Sequence, residues 1–254
     1  MDLGLSGKRA LVTGASRGIG FGCARALAGE GCDVALVGRD VHGLKAAMKA
    51  IRSDYRVGVT SHATDLTIPG RQEALIDVVG EIDVLVNNAG AIPPGELDSI
   101  DDETWREAWD LKVFGYINLT RLVLPQMQAR RSGVIVNVVG AAAVRPSADY
   151  VTGAAGNSAL VGFTRAVGST SLRRGVRVVA VNPGLVATDR MEELLRAKAD
   201  ERYGNAERWE ELIPADPPPG TVDQVADVVA FLASERASHV SGTTITVDGG
   251  ACAF

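Results

Sequence analysis

Gly14, Gly18 and Gly20 follow an apolar run, Ala10 to Val12, and open onto a helix-like stretch at 19–29. Glycine lets backbone take positive φ and pass close to a bulky anion. The first turn of a helix offers that anion unpaired N–H groups and the positive end of its dipole. Gly14 then makes the turn, Gly18 admits a pyrophosphate and Gly20 lets the helix lie against the strand, with Ser16, Arg17 and Ile19 completing the loop. The chemistry implied is the holding of a nucleotide's phosphates. The spacing Gly-x-x-x-Gly-x-Gly differs from the Gly-x-Gly-x-x-Gly dinucleotide fingerprint, so an ordinary glycine-rich turn is the competing explanation.

The elements that must position such a loop alternate along the chain. Apolar runs at 9–13, 33–37, 56–62, 84–87, 134–139, 177–181 and 243–247 read as strands. Between them, 19–29, 41–51, 69–79, a long segment at 102–130, 155–173 and 222–233 read as helices. Runs too continuously apolar for one wet face imply a parallel sheet covered on both sides. The expected fold is α/β: a single-domain, Rossmann-like, doubly wound sheet of seven parallel strands with helices on both faces, spanning 1–254. Ligands of such sheets sit beyond the carboxyl ends of the strands, where strand order reverses. Gly14, Arg39, Asp65, Asn88, Gly140 and Pro183 all fall just past strand ends and are expected to line one cleft.

Composition narrows the function. A chain of 254 residues with 46% hydrophobic content can bury roughly 70–75% of its unfolded surface as one domain. The 26 basic and 31 acidic residues, formal charge −5, argue against a phosphate-backbone binder, which shows a basic face, so nucleic acid is not expected as a partner. No apolar run approaches the roughly 18 residues that a bilayer demands, and the first residues lack a signal-peptide pattern. A cytoplasmic protein without membrane attachment is the expectation. Cys23, Cys32 and Cys252, with His42, His62 and His239, show no metal-ligand spacing, and no metal is expected.

Thr13-Gly14-x-x-x-Gly18-Ile19-Gly20, then Asn87-Asn88-Ala89-Gly90 after another strand and Asn182-Pro183-Gly184 after a later one, resemble the short-chain dehydrogenase/reductase family over nearly the whole chain. The resemblance implies that Asp65 and Leu66 contact adenine, that Asn88, Ala89 and Gly90 pack on its ribose, and that Pro183, Gly184 and Thr188 hold the nicotinamide side. It also implies a helical lid over the substrate at 191–215, for which a solvated helical insertion is the alternative. The second strand ends Val37-Gly38-Arg39-Asp40, with glycine where a carboxylate would accept both ribose hydroxyls of NAD. Arg39 and Arg17 offer guanidinium to a 2′-phosphate. NADP is therefore expected, with NAD as second choice; solvated arginines and either cofactor are the alternative.

The family's catalytic set is a serine, a tyrosine about thirteen residues on, a lysine four beyond it, and an asparagine on the preceding long helix. In the register set by Phe163-Thr164 and Pro125-Gln126-Met127, these positions hold Gly140, Gly153, Asn157 and Lys112. Tyr150 lies three residues before Gly153, and positions three apart share a helix face. The expectation is that Tyr150 remains the proton donor, that Lys112 enters the cleft and lowers its pKa, and that Asn157 completes the altered set. A helical surface lysine and a loop tyrosine beside Arg145-Pro146 are the alternatives.

The function expected is an NADP(H)-dependent oxidoreductase interconverting a carbonyl compound and a secondary alcohol. The alternatives are an NADP-binding sensor or scaffold without redox catalysis, and other chemistry on the same scaffold. Pocket walls at 91–95, 141–144 and 186–195 are mostly apolar and leave the substrate open. The long helix carries Trp105, Trp109, Val113, Tyr116, Val123 and Met127, more apolar surface than one core-facing stripe. With the family's habit of pairing through this helix and the last strand, that implies a homodimer or homotetramer.

Overall fold

A computed structural model describes residues 2–253. Seven strands form one parallel sheet: β1 (Arg9–Thr13), β2 (Asp33–Gly38), β3 (Val59–Ala63), β4 (Val84–Asn87), β5 (Gly133–Val138), β6 (Val176–Pro183) and β7 (Thr244–Val247). Their order is β3-β2-β1-β4-β5-β6-β7, and the order reverses between β1 and β4. Helices α1 (Gly18–Gly29), α2 (Val41–Asp54), α3 (Arg71–Val79), α4 (Asp102–Trp109), α5 (Gly115–Arg130), α6 (Val151–Ser171), α7 (Asp189–Tyr203) and α8 (Val222–Ala233) surround it. The doubly wound seven-stranded α/β fold expected from the alternation is the fold observed.

Alternation of side chains along each strand divides the core. Val12, Val86, Val136 and Val179 face one layer with Leu27 of α1, Leu44 of α2 and Val229 of α8. Leu11, Leu85, Ile135 and Val178 face the other with Leu75 of α3 and Leu119 and Val123 of α5. Both faces of the central strands are thereby dry; every residue of β4 and β6 is buried, which is why those runs carry no polar alternation.

Four expectations change. The third strand begins at Val59 rather than 56. The long helix is broken: α4 and α5 are joined by a π-helical turn, Asp110–Phe114, and such turns often mark functional sites. The helix expected from 155 already begins at Val151, so Tyr150 stands at its N-cap. The apolar surplus of the long helix also shrinks, because Val113, Tyr116, Val123 and Met127 are buried within this one chain. The second layer and α6 cover them from two sides, leaving Trp105 and Trp109 half-buried. The segment 191–215 holds most of α7 and a 3-10 turn, Ala206–Leu212.

Among the described residues no helix is long and apolar enough to cross a membrane, and no cluster of three or more His, Cys, Asp or Glu could hold a metal ion.

Candidate functional site

The carboxyl ends of the strands at the order reversal open into one cleft of about 990 Å³. At one end is the glycine loop. Gly14 and Gly18 take φ of +65° and +58°, conformations that side chains other than glycine's rarely adopt. No side chain caps the first turn of α1, and no carboxylate lies in that turn, so its N–H groups stay available to an anion. A Cβ on Gly20 would overlap the carbonyl oxygen of Gly14 and the Asn88 amide. Gly20 therefore serves close packing, as expected of it, and does not itself line the cleft.

Thr13 pins this loop to the next strand end. Its hydroxyl accepts from the backbone N–H groups of Asn88 and Ala89 at 2.9 and 3.0 Å, while the Asn88 amide donates to the Thr13 carbonyl at 3.0 Å. Gly14, Ser16, Arg17, Gly18 and Ile19 line the cleft together with Asn88, Ala89 and Gly90. Arg39 and Leu66 line it toward β2 and β3, and Pro183, Gly184 and Thr188 line it from the end of β6. The Thr188 hydroxyl caps α7 by accepting from Met191 N–H at 3.2 Å.

Asp65 sits at the edge of the cleft. Its neighbours Thr64 and Leu66 line the cleft but Asp65 does not, because its carboxylate accepts from both the backbone N–H and the hydroxyl of Thr67. Those bonds, the backbone one foremost, hold its pKa below the usual carboxylate range. It also faces Arg39 at 3.8 Å. Arg17 meets Asp189 and Glu193 of α7 at 3.5 and 3.4 Å. Both guanidiniums are about three-fifths exposed, 62% for Arg17 and 61% for Arg39, and such pairs are weak enough for an incoming anion to displace. Uncapped N–H groups, two glycines that bring no Cβ to the loop and two displaceable arginines fit the phosphates of a dinucleotide.

At the other end stands Tyr150. A Cβ built on Gly153 would overlap the Tyr150 ring. The ring therefore fills, from one turn earlier, the volume that a side chain at 153 would enter, and it lines the cleft. Burial raises its pKa, and the nearby charge of Arg190 opposes the rise.

Lys112, on the π-helical turn, also lines the cleft, its stem within 2.9 Å of where Gly90 would carry a Cβ. Its ammonium donates to the Val139 carbonyl at 2.6 Å, and desolvation pushes its pKa down to about 8. The cation acting on Tyr150 is thus Arg190, not Lys112 as expected, because the Lys112 ammonium is turned to the backbone of β5's end.

Asn157 is a correction. It is buried at 2% exposure and does not line the cleft. Its amide nitrogen lies 2.8 Å from where Gly140 would carry a Cβ, so it sits behind the strand end rather than in the site, with Oδ1 unpartnered. The wall expected at 141–144 is likewise absent from the cleft lining.

The sequence reading missed Arg190, whose guanidinium donates to the Ile92 carbonyl at 2.8 Å and to Glu193 at 3.2 Å. It counted the 186–195 wall as apolar. The available signal was the cap at Thr188, which places Arg190 in the first turn of a helix that begins at the cleft rim.

Residues 8–199 match the family described as short chain dehydrogenase. The chain is 34% identical to a 2,3-dihydro-2,3-dihydroxybenzoate dehydrogenase of Bacillus subtilis, covering 98% of this chain and 97% of that protein. It is also 34% identical to a 3-oxoacyl-(acyl-carrier-protein) reductase, FabG, of Staphylococcus aureus, covering 96% and 97%. Among solved structures it is similar to L-sorbose reductase from Gluconobacter frateurii complexed with NADPH and L-sorbose, with a TM-score of 0.92, 30% identity and 100% of both chains covered.

Proposed function

The chain belongs to the short-chain dehydrogenase family, and from that premise we propose that it interconverts a carbonyl compound and a secondary alcohol with NADP(H), Tyr150 carrying the proton. The observation that carries the reading is the Tyr150 ring standing over Gly153 inside the same cleft as the glycine loop.

The first turn of α1, with Gly14, Ser16 and Gly18, would hold the pyrophosphate. Arg17 and Arg39 would take the 2′-phosphate, and Pro183, Gly184 and Thr188 the nicotinamide side. NADPH-bound relatives support NADP over NAD. The cofactor supplies or accepts a hydride when bound.

This chain's residues do the rest. Burial keeps the Tyr150 phenol protonated at neutral pH, which suits an acid that donates to the substrate oxygen during reduction. Oxidation needs the phenolate, which the Arg190 charge favours. Lys112, protonated below about pH 8, supplies positive charge on the opposite wall. Ile92, Val186, Met191 and Leu194 give the cleft an apolar boundary on that side.

Two observations favour the non-catalytic alternative. Gly140 offers no hydroxyl, and Tyr150 carries a raised rather than lowered pKa. The two readings separate on the Tyr150→Phe variant. Retained NADPH affinity with lost carbonyl turnover supports catalysis, whereas no turnover by the wild type over a broad carbonyl panel supports the sensor. We further propose a cytoplasmic homodimer or homotetramer. Phe231 on α8 and Ile245 on β7 are 41% and 37% exposed and support a contact there; sedimentation at micromolar concentration checks it.

A further inference from the structure

We propose that the substrate is an anionic carbonyl compound, a ketone carrying a carboxylate, and that Arg190 of the lid helix is the residue that recognises the carboxylate. The inference rests on the redox reading above and names the substrate class of the same cleft.

Two observations point to a negative charge in the cleft. Arg190 lines the cleft and is anchored across it, donating to the Ile92 carbonyl at 2.8 Å and to the Glu193 carboxylate at 3.2 Å. A guanidinium has five N–H donors, so three remain after these two bonds to meet an anion. The Arg190 side chain is 43% exposed, enough to be reached, and its charge already acts on Tyr150, the reacting end.

The second observation is Lys112. No carboxylate lies within 4.0 Å of its ammonium among the described residues, and its one hydrogen bond is to the Val139 carbonyl. A partly desolvated ammonium without a counter-ion is costly, and an anionic ligand in the cleft would relieve that cost.

The carboxylates near this end are already engaged. Asp189 meets Arg17, and Asp149 pairs with Lys198 at 2.7 Å. Glu193 spans the two halves of the cleft, one oxygen 3.4 Å from Arg17 and the other 3.2 Å from Arg190. It stands in for anions at both arginines. A phosphate arriving at Arg17 and a carboxylate arriving at Arg190 would each replace one of its contacts.

The test is equilibrium binding to protein saturated with NADP⁺, read by calorimetry so that no turnover is needed. The probes are pyruvate, acetoacetate and levulinate, each against its methyl ester, which steps the distance from carbonyl to charge. At least one acid is expected to bind about tenfold or more tighter than its ester, since a hydrogen bond to a charged group is worth more than a neutral one. Arg190→Leu should cost that acid about tenfold to a hundredfold and leave the ester within about threefold. Glu193→Gln, which removes the competing carboxylate, should tighten the acid and not the ester.

Equal binding of acid and ester in all three pairs would overturn the proposal. So would equal losses for both in Arg190→Leu, or a weaker acid in Glu193→Gln. If Arg190→Leu fails to fold, Glu193→Gln alone decides. Acid preference without NADPH oxidation on any ketone would retire the redox reading and leave the anion site standing.

Discussion

Replacing Lys112 by methionine keeps most of the side-chain volume and removes the charge, so it isolates the ammonium at the cleft wall. Desolvation holds the folded-state pKa at about 8 against its usual 10.5. The sign follows from linkage. Between those values the unfolded chain binds the proton and the folded chain releases it, so unfolding free energy rises with pH across that window. A gap of about 2.5 units is worth about 3 kcal/mol in full at 1.36 kcal/mol per unit. The part gained between pH 7 and pH 9.5 is about 2 kcal/mol.

The Lys112→Met variant has no proton to release and should lack that gain. It also loses the 2.6 Å bond to Val139, a charge-assisted bond worth about 1.5–3 kcal/mol at pH 7; in the wild type that charge is largely gone by pH 9.5, and its pH-dependent part is already contained in the folded-state pKa of about 8. The diagnostic quantity is therefore the double difference: urea unfolding of both proteins at pH 7 and pH 9.5. Other titrating groups, including the buried Cys23 and Cys32 thiols, cancel because both proteins share them. Wild type and variant with the same pH dependence would refute the desolvated lysine and with it the counter-ion argument.

Other outcomes are equally direct. Tyr150→Phe should cut carbonyl turnover by about a hundredfold to ten-thousandfold with NADPH affinity unchanged in a fluorescence titration; unchanged turnover eliminates Tyr150 as the acid. Gly153→Ala forces a methyl into the Tyr150 ring, so it should destabilise by about 1–3 kcal/mol in urea unfolding and lower turnover together, and a neutral variant would show the ring to lie elsewhere. Arg39→Gln should weaken NADPH by about tenfold and NADH by little, read by titrating both; equal effects would mean that Arg39 does not meet the 2′-phosphate.

Two overlaps tie positions 140, 150, 153 and 157 together. No side chain fits at 153 while the Tyr150 ring fills that volume. A side chain at 140 meets Asn157 at 2.8 Å, on a backbone with φ of +137°. A side chain introduced at 140 or 153 alone is therefore expected to destabilise, and one paired with a smaller residue at 157 or 150 to be better tolerated.

The sequence alone determined the fold and which strand-end loops meet in the cleft. Strand runs, glycine spacing and the loops after β1, β4 and β6 are local signals, and strand-end residues converge wherever a parallel sheet reverses its order. Gly14, Gly18, Asn88 and Pro183 were legible for that reason. What only the tertiary structure decided were directions. Asp65 turns to Thr67, Asn157 lies behind Gly140, and Lys112 faces a carbonyl from a π-helical turn that no periodicity announces. Arg190 reaches the cleft because α7 folds across it. These depend on which volume is free once neighbouring side chains are placed, and spacing along the chain carries no record of that.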